Sequence, residues 1–234
     1  AAETVFVEDK YTETVIVVRI ADKINELQID GLYLRRPISV CDYDDSTITL
    51  IYKVVGEGTE VMSKMTEGDK LDILTGLGNG FDTSKSGDKP LLLGGGVGVP
   101  PMYELAKRLI AMGKGVKVIL GFNTADEVFY EKEFSDLGAR VIVATADGSY
   151  GVKGFVTDGM KTVDGYTYTY ACGPEPMLKA VYNTAKTSGQ FSFEERMGCG
   201  FGACMGCSCK TITGYKRICK EGPVMQKEEI LWED

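Results

Sequence analysis

The spacing of hydrophobic positions divides the chain near residue 87. Before that point the densest apolar runs, residues 14–20 and 46–55, are rich in Val, Ile and Thr, and turn clusters at 42–45 and 56–58 separate such runs. β-branched residues pack well on pleated strands, and several short strands between turns are typical of a small barrel. Residues 1–86 are therefore predicted to form an antiparallel β-barrel.

After residue 87 strands and helices alternate. Four apolar stretches have the length of buried strands: residues 90–93, 116–122, 140–144 and 166–171. Three further stretches carry apolar positions at helical spacing: residues 100–112, 129–137 and 174–188. This alternation predicts β-α-β units, which build a parallel sheet covered by helices on both faces. The predicted fold class is α/β plus β-barrel, with an α/β domain at residues 87–190 and a small segment at 191–234.

Composition leaves few kinds of chemistry open. The 234 residues include no histidine, which excludes Ser-His and Cys-His catalytic pairs, His-bound zinc or haem, and Rieske centres. A formal charge of −8 repels nucleic-acid phosphates, and no apolar run reaches the roughly 20 residues of a membrane-spanning helix. The first residues lack the pattern of a secretory signal. We therefore expect a cytoplasmic protein with reduced cysteines, no nucleic-acid partner and no membrane contact.

Five of the seven cysteines lie in the last segment. Cys199, Cys204, Cys207 and Cys219 have the spacing C-x4-C-x2-C-x11-C among many small residues. This is the spacing of plant-type [2Fe–2S] proteins, and small residues let backbone N–H groups approach the inorganic sulfides. A four-cysteine zinc site is the alternative, although zinc ribbons usually use two C-x2-C knuckles. Cys209 can also complete a C-x4-C pair with Cys204, so spacing alone does not decide its role.

A glycine loop follows the first strand of the α/β domain. Three leucines lead into Gly-Gly-Gly-Val-Gly at residues 94–98, and two prolines at 100–101 begin the next helix. Glycines between a strand and a helix N-terminus predict a pyrophosphate site, with Gly95, Gly96 and Gly98 as candidates. The strict G-x-G-x-x-G fingerprint is not met, because its third position falls on Val99 or Pro101. A tight turn without a ligand is the alternative.

A second candidate site begins at the end of a later strand, with Cys-Gly-Pro-Glu-Pro-Met at residues 172–177. Ligands of open α/β sheets bind at the carboxyl ends of strands, so Cys172 and Gly173 are predicted to contact a nucleotide. The alternative for Cys172 is a buried cysteine that acts as a small hydrophobic residue. Residues 121–124 contain no arginine to meet a 2′-phosphate, which favours NAD over NADP.

Motifs along nearly the whole chain resemble those of ferredoxin reductases, a family of FAD and nicotinamide-nucleotide enzymes. The motifs are RPIS at residues 36–39, GEGT at 56–59, GLGNG at 76–80, GGGVGVPP at 94–101 and CGPEPM at 172–177. The last segment, with SFEERMGCGFGACMGC at 192–207 and ICKEGPV at 218–224, is similar to the electron-transfer subunits of bacterial dihydroorotate dehydrogenase B. The resemblance implies an FAD-binding barrel, an NAD-binding α/β domain and a [2Fe–2S] segment.

The resemblance also implies roles for individual residues. Along the flavin and its pyrophosphate would lie Arg36, Pro37, Ile38 and Ser39. The FAD site would be completed by Ile51, Tyr52, Lys53, Gly58 and Thr59. The cluster ligands would be Cys199, Cys204, Cys207 and Cys219, without Cys209. The family's Pro-Gly-Gln-Phe stretch has no counterpart between Ile20 and Arg35, so the barrel is expected to be shortened there.

These parts form a coherent redox protein. A cluster passes single electrons, a nicotinamide takes a hydride, and a flavin exchanges either, so FAD is expected between them. The resemblance implies an FMN-containing dihydroorotate dehydrogenase catalytic subunit as partner, in a heterotetramer, with electrons flowing from FMN through [2Fe–2S] and FAD to NAD⁺ in pyrimidine biosynthesis. A flavin subunit of a hydrogenase or of a ferredoxin-dependent transhydrogenase is one alternative. A zinc-stabilised nucleotide-binding module is another.

Overall fold

The computed structural model describes residues 2–10, 13–19, 26–28, 34, 36–74 and 76–232, with side chains from residue 34 onward. Strands in these ranges form two seven-stranded sheets and one two-stranded hairpin. None of the helices described combines the length and the apolar character that crossing a membrane requires.

The first sheet is antiparallel at every pairing described, as the sequence predicts. Its strands are β1 (Ala2–Lys10), β2 (Glu13–Arg19), β3 (Glu26–Gln28), β4 (Arg36–Pro37), β5 (Val40–Tyr43), β6 (Thr47–Tyr52) and β7 (Lys70–Leu74). They are arranged in the order β4-β3-β7-β1-β2-β6-β5. The shortening predicted between Ile20 and Arg35 falls mostly outside the described residues, which include only β3 and residue 34 there.

A helix, α1 (Glu57–Ser63), stands where the sequence predicts a turn at residues 56–58. Thr59 Oγ1 accepts the N–H groups of Val55 and Gly56 at 3.0 and 3.2 Å. A side-chain acceptor at this place satisfies donors that would otherwise have no partner next to a helix start. The turn prediction was therefore wrong, because this glycine-containing stretch starts a capped helix.

The second sheet is parallel except at one edge, which confirms the α/β prediction. The strands of this half are β8 (Pro90–Gly95), β9 (Lys117–Phe122), β10 (Arg140–Thr145), β11 (Val152–Lys153), β12 (Tyr168–Cys172), β13 (Gly189–Ser192), β14 (Ser208–Thr211), β15 (Gly214–Arg217) and β16 (Val224–Gln226). The sheet has the order β11-β10-β9-β8-β12-β13-β16, while β14 and β15 form the hairpin. Only the pairing of β13 with β16 is antiparallel among those described in this sheet.

Helices cover both faces of the parallel sheet, as predicted. They are α2 (Val99–Ala111), α3 (Glu131–Asp136), α4 (Val156–Met160) and α5 (Glu175–Thr184). Met102 of α2 and Phe134 of α3 belong to one buried cluster, whereas Met160 of α4 and Leu178 of α5 belong to another. Burying apolar side chains on both faces is what allows a parallel sheet to be hydrophobic throughout.

The chain between α5 and the cysteines departs from the prediction. Helix α5 ends at Thr184 and not near residue 188, because the chain turns to place Gly189 beside Thr169 in a strand pairing. The resulting strand β13 crosses the predicted boundary at residue 190, and β16 of the last segment pairs with it. The last segment is thus joined to the parallel sheet by backbone hydrogen bonds at the end of that sheet.

The two sheets meet where β5 lies against α2. Cys41 and Ile51, from the first sheet, share a buried cluster with Leu92 of the second sheet and Met102 of α2. Next to this apolar contact, Glu104 of α2 has one carboxyl oxygen, Oε2, that is buried and has no hydrogen-bond partner among the described atoms. Burial, together with the neighbouring Asp42 carboxylate, raises the pKa of Glu104 from 4.5 to about 7.

Glu104→Gln should stabilise the protein at alkaline pH but not at acid pH. A carboxyl group with a raised pKa in the folded state favours folding below its ordinary value of 4.5, and that contribution is lost as the pH rises through about 7. After allowance for partial exposure, the expected gain above pH 7 is about 1–2 kcal/mol. Thermal unfolding near pH 5 and near pH 8 measures this difference. An equal gain at both pH values would show that ionisation of Glu104 is not the cause.

Candidate functional site

The two predicted nucleotide motifs meet at the carboxyl edge of the parallel sheet. Strand β12 pairs with β8 so that Cys172 lies opposite Gly94. A Cβ added to Gly98 would lie 2.2 Å from the carbonyl oxygen of Cys172, and one added to Gly173 would lie 3.2 Å from the backbone nitrogen of Gly95. The glycines are needed because the two loops pack backbone against backbone. The structure thus brings Gly95, Gly96, Gly98, Cys172 and Gly173 together.

The start of α2 offers fewer backbone donors than the sequence analysis assumes. Pro100 and Pro101 occupy its first turn, and proline has no N–H group. The N–H of Val99 is directed at the carbonyl of Gly96. A pyrophosphate here would therefore rely on the N–H groups of the glycine loop and on the helix dipole.

The thiol of Cys172 is buried and neutral. Burial raises the pKa of this cysteine to about 12, with a smaller contribution from the Glu194 carboxylate. The backbone of Cys172 lies against Gly98 of the glycine loop. Its side chain belongs to a buried cluster of the sheet, which matches the alternative considered for it from the sequence.

An acidic side chain lies at the end of the second parallel strand, β9. Glu127 accepts the backbone N–H of Asn123 at 3.0 Å and its amide Nδ2 at 2.9 Å. In dinucleotide-binding folds the adenosine ribose lies near the end of this strand, and an acidic group there favours a free 2′-hydroxyl. Glu127 was not predicted from the sequence, although an acid soon after the second strand was a usable signal beside the absence of arginine at residues 121–124.

NADH should reduce the bound flavin with a kcat/KM at least about tenfold higher than NADPH, which corresponds to about 1.4 kcal/mol. The Glu127 carboxylate would repel a 2′-phosphate at that position. Steady-state reduction of an artificial dye with each nucleotide measures the ratio of the two kcat/KM values. Glu127→Gln should lower this ratio. Equal kcat/KM values in the wild-type protein would place the selecting residue elsewhere.

The predicted FAD motif forms a compact group at β4 and the start of α1. A Cβ added to Gly58 would lie 2.3 Å from Nε of Arg36, so the guanidinium rests directly on this glycine. Arg36 Nη1 also donates to the carbonyl of Leu34. The space at Gly58, which a larger residue would fill, lets the Arg36 guanidinium lie beside α1. A guanidinium there can donate hydrogen bonds to a phosphate, so the arrangement fits an FAD pyrophosphate.

Other side chains of the predicted FAD site are buried in a core, lie at or near the surface, or cap α1. Ile51 is buried in the cluster between the two sheets, and Tyr52 is buried in the core of the first sheet. Lys53 is exposed, and the hydroxyl of Thr59 caps α1. Pro37 and Ser39 are exposed, with Ile38 between them half-buried. Contact of Ile51 and Tyr52 with a flavin would therefore have to come from their backbone.

Arg36→Ala should lower FAD affinity about ten- to a hundredfold while the iron content stays unchanged. An arginine–phosphate hydrogen bond contributes roughly 1.5–3 kcal/mol, and the cysteines lie on a separate segment. Flavin and iron are counted in the purified variant, with added FAD as the rescue. A parallel loss of iron and flavin would contradict the separation of the two sites.

The four predicted cluster cysteines gather in two pairs. Hydrogen bonds show the pairs: the N–H of Cys204 donates to Cys199 Sγ, and the N–H of Cys219 donates to Cys207 Sγ. Cys199 and Cys204 lie on a loop of residues 198–207, here called the cluster loop. Cys219 lies on a turn of residues 217–222, here called the cluster turn, and both Cys207 and Cys219 are buried.

Backbone N–H groups are directed at the sulfurs. Cys199 Sγ accepts from the N–H of Ala203 at 3.2 Å and of Cys204 at 3.4 Å. Cys207 Sγ accepts from the N–H of Cys219 at 3.4 Å. The donors lower the pKa of Cys199 to about 6, whereas burial raises the pKa of Cys219 to about 12. Such donors stabilise the sulfur charge that cluster ligation requires.

Two sulfur pairs fit a cluster with two iron atoms. Within the described residues, no three His, Cys, Asp or Glu side chains form a group that could hold a metal ion. A tetrahedral zinc site would gather all four sulfurs about 2.3 Å from one point. The glycines beside Cys204 and the backbone N–H groups directed at the sulfurs fit a [2Fe–2S] cluster, whose inorganic sulfides small residues allow the backbone to approach.

Arg217 fastens the cluster loop to the cluster turn. Its Nη1 donates to the Gly202 carbonyl at 2.6 Å, and its Nε donates to Glu221 Oε2 at 2.9 Å. Its Nη2 forms an ion pair with the same carboxylate. Cys209 lies apart from this arrangement, on β14 opposite Lys216, where burial raises its pKa. The contact of Arg217 with Gly202 was not predicted, because its partner is a backbone group 15 residues away.

Comparisons with known proteins agree with this site. The family model described as the iron-sulfur cluster binding domain of dihydroorotate dehydrogenase B matches residues 194–231. The model of an oxidoreductase NAD-binding domain matches residues 92–183. The cysteine pairs lie in the first of these ranges, and the glycine loop and Cys172 lie in the second.

Solved structures share the fold. The structure of an NADH-dependent reduced ferredoxin-NADP oxidoreductase has a TM-score of 0.88 and 27% identity, covering 99% of this chain and 90% of that chain. A ferredoxin NADP⁺ reductase from Neisseria gonorrhoeae with bound FAD and NADP has a TM-score of 0.66 and 17% identity, covering 78% and 88%. The second likeness shows the fold alone. Together they confirm a barrel followed by a nucleotide-binding sheet.

Curated relatives carry one name. The dihydroorotate dehydrogenase B (NAD(+)) electron transfer subunit of Geobacillus sp. (strain WCH70) is 46% identical over 213 residues, which cover 87% of this chain and 82% of the relative. The protein of the same name from Fusobacterium nucleatum is 45% identical over 208 residues, covering 84% and 80%. Because this identity extends over most of both chains, and the cluster-binding model spans the four paired cysteines, the chain belongs to the family of dihydroorotate dehydrogenase B (NAD(+)) electron transfer subunits.

Proposed function

We propose that this chain passes electrons from an FMN-containing dihydroorotate dehydrogenase catalytic subunit to NAD⁺ in pyrimidine biosynthesis. The observation that carries the proposal is the pairing of four cysteines in the segment that matches the family's cluster-binding domain. The names of the curated relatives support the same assignment. FAD, NAD and a [2Fe–2S] cluster are the cofactors that this function requires.

Each cofactor has its own residues. Cys199, Cys204, Cys207 and Cys219 would ligate the cluster. FAD would bind through Arg36 and the strands around it, within residues 1–86. NAD would bind at the glycine loop and Gly173, within residues 87–190, and residues 191–234 would carry the cluster. When bound, these groups supply the electron chemistry, with FAD converting single electrons from the cluster into a hydride for NAD⁺.

The residues of the chain bind and orient rather than transfer protons. The sequence has no histidine, and the Cys172 thiol next to the nucleotide loop stays protonated across the physiological range because burial raises its pKa. The tight approach of Gly98 to Cys172 fixes the nucleotide loop against β12. Arg217 fixes the relative position of the two cysteine-bearing segments.

The catalytic partner would dock at the cluster loop. Phe201 and Met205 flank Cys204 and are 59% and 53% exposed, which is high for large apolar side chains. Partner binding there would shield both side chains and bring the FMN of the partner near the cluster. Two copies of each chain would form the heterotetramer, and we place the complex in the cytoplasm.

Copurification with the catalytic subunit tests the proposal. The complex should show flavin and [2Fe–2S] absorption, contain FMN as well as FAD, and form NADH from NAD⁺ when dihydroorotate is added. Its mass in solution should correspond to two copies of each chain. A protein that contains zinc and no flavin, or a complex that reduces NAD⁺ only with ferredoxin, would reject the proposal.

A ferredoxin-dependent transhydrogenase subunit is the second candidate. The structural likeness to an NADH-dependent reduced ferredoxin-NADP oxidoreductase favours it, since that structure covers nearly the whole chain. Its sequence identity is 27%, against 46% for the Geobacillus relative over most of the chain. Dihydroorotate as electron donor distinguishes the two candidates directly.

A further inference from the structure

We propose that Asn79 is a positioning residue that holds the cluster turn against the FAD-bearing sheet and thereby sets the rate of electron passage between cluster and flavin. The inference rests on the proposed function and goes beyond it. Asn79 lies in the Gly-Leu-Gly-Asn-Gly motif at residues 76–80, here called the linker loop, to which the cofactor assignment gives no role.

Asn79 binds three successive carbonyl groups of the cluster turn. Its backbone N–H donates to the carbonyl of Gly222 at 2.5 Å. Its side-chain Nδ2 donates to the carbonyls of Lys220 at 3.3 Å and Glu221 at 3.2 Å. These residues directly follow the cluster ligand Cys219 in the chain. The amide of Asn79 therefore fixes the backbone that carries a ligand.

The linker loop can approach this closely only because of Gly78. A Cβ added there would lie 2.4 Å from the Gly222 carbonyl oxygen, and the φ of Gly78 is +63°. Both features require glycine, since a side chain would meet backbone atoms and the left-handed conformation is strained for other residues. The close approach of the linker loop to Gly222 therefore depends on glycine at position 78.

The opposite side of the cluster turn is held by Arg217. Its carbonyl accepts the N–H groups of Lys220, Glu221 and Gly222 at 3.0, 2.8 and 3.1 Å. The N–H groups of the turn are therefore used within the cluster segment, and its carbonyl groups are used by Asn79. A turn bound on both sides has little freedom to move away from the linker loop.

The linker loop leads back to the strands of the FAD motif. It follows β7, whose Leu74 pairs with Glu26 of β3, and Glu26 pairs with Pro37 of β4. Two strand spacings of about 4.8 Å separate the end of β7 from this part of the FAD motif. Asn79 is consequently the hydrogen-bonded connection from a cluster ligand to the sheet that carries the Arg36 motif. Electron transfer slows steeply with distance, so slackening this connection should slow it.

The exposure of Asn79 makes the proposal testable without unfolding the protein. Asn79 and Lys220 lie at the surface, so water can take over the hydrogen bonds of the missing amide. Asn79→Ala should therefore retain both FAD and the cluster. Asn79→Ser, which keeps one hydroxyl donor, is the second variant. Asn183→Ala, an exposed asparagine on α5, is the matched control.

The measurement is made on the complex with its catalytic subunit. Each protein is mixed with NADH without oxygen, flavin reduction is followed by absorbance, and cluster reduction by freeze-quench electron paramagnetic resonance. Asn79→Ala should reduce its flavin at the wild-type rate and its cluster at least fivefold more slowly. The rate of cluster reduction in Asn79→Ser should lie between those of Asn79→Ala and the wild-type protein. In Asn183→Ala this rate should equal the wild-type rate. A merely structural role would not change one rate and leave the other.

Two results would overturn the proposal. The first is wild-type cluster reduction in Asn79→Ala with both cofactors present. The second is loss of iron from Asn79→Ala and Asn79→Ser but not from Asn183→Ala, which would make the contact structural only. Failure of the proposed function is separate, because it would appear as wild-type protein without FAD or [2Fe–2S] absorption.

Discussion

Cys219→Ser should yield protein that retains its flavin but contains almost no iron. Serine removes one of the four paired sulfurs, and burial of Cys219 leaves no solvent ligand to replace it. Its neighbour Cys207, whose Sγ accepts the N–H of Cys219, would lose the second cysteine of its pair. Iron and sulfide counts on the purified variant measure the loss. Thermal stability should fall as well, because ligand binding contributes to the folding of the segment.

Cys209→Ser is the matched control for this experiment. Cys209 lies in the same segment and is also partly buried, but it sits on the β14–β15 hairpin opposite Lys216. The variant should keep its full iron content and its visible spectrum. If both variants lost iron equally, the ligand set of Cys199, Cys204, Cys207 and Cys219 would be wrong.

Gly98→Ala should destabilise the protein by roughly 3 kcal/mol and weaken NADH binding. The new Cβ would lie 2.2–2.6 Å from three backbone atoms of Cys172 and Gly173. Backbone atoms at the end of β12 cannot rotate away as a side chain can, so the glycine loop must shift. Thermal unfolding and the KM for NADH in dye reduction measure the two effects.

Gly113→Ala separates this collision from a general glycine effect. Gly113 has a φ of +76° after the end of α2, and an added Cβ meets nothing within 4 Å. Its replacement should cost only about 1 kcal/mol of backbone strain and leave the KM for NADH unchanged. A Gly98→Ala protein no less stable than Gly113→Ala would contradict the close approach of the two loops.

The regular parts of the fold were predictable because their patterns are local. β-branched runs marked β2 and β6, and the apolar stretches at residues 90–93 and 116–122 marked β8 and β9. Helix α1 was not recognised because its cap is formed by Thr59, whose neighbours are glycines and acids that also suit a turn. Strand β16 is only three residues long and gains its place by pairing with β13, which no local pattern reveals.

The candidate site was predictable where spacing encodes geometry. The cysteine spacing, together with the family resemblance, predicted four sulfurs that the structure brings together in pairs, and the glycine loop meets Cys172 as strand topology requires. The contacts of Asn79 with the cluster turn and of Arg217 with Gly202 join parts of the chain that only folding brings together, so no local pattern revealed them. Ile51 was assigned to FAD by resemblance, whereas its side chain lies in the core between the sheets.

Because β13 pairs with β16 in antiparallel fashion, the cluster segment is a loop that begins and ends at the same edge of the parallel sheet. Ser192 and Val224 are neighbours, so residues 193–223 leave and return at a single place. Closing this loop costs conformational entropy whether or not iron is present. The backbone hydrogen bonds between β13 and β16 close the loop and offset that cost. Because the pairing that closes this loop lies in the parallel sheet and not at the cysteines, we expect loss of iron to leave the nucleotide-binding sheet intact.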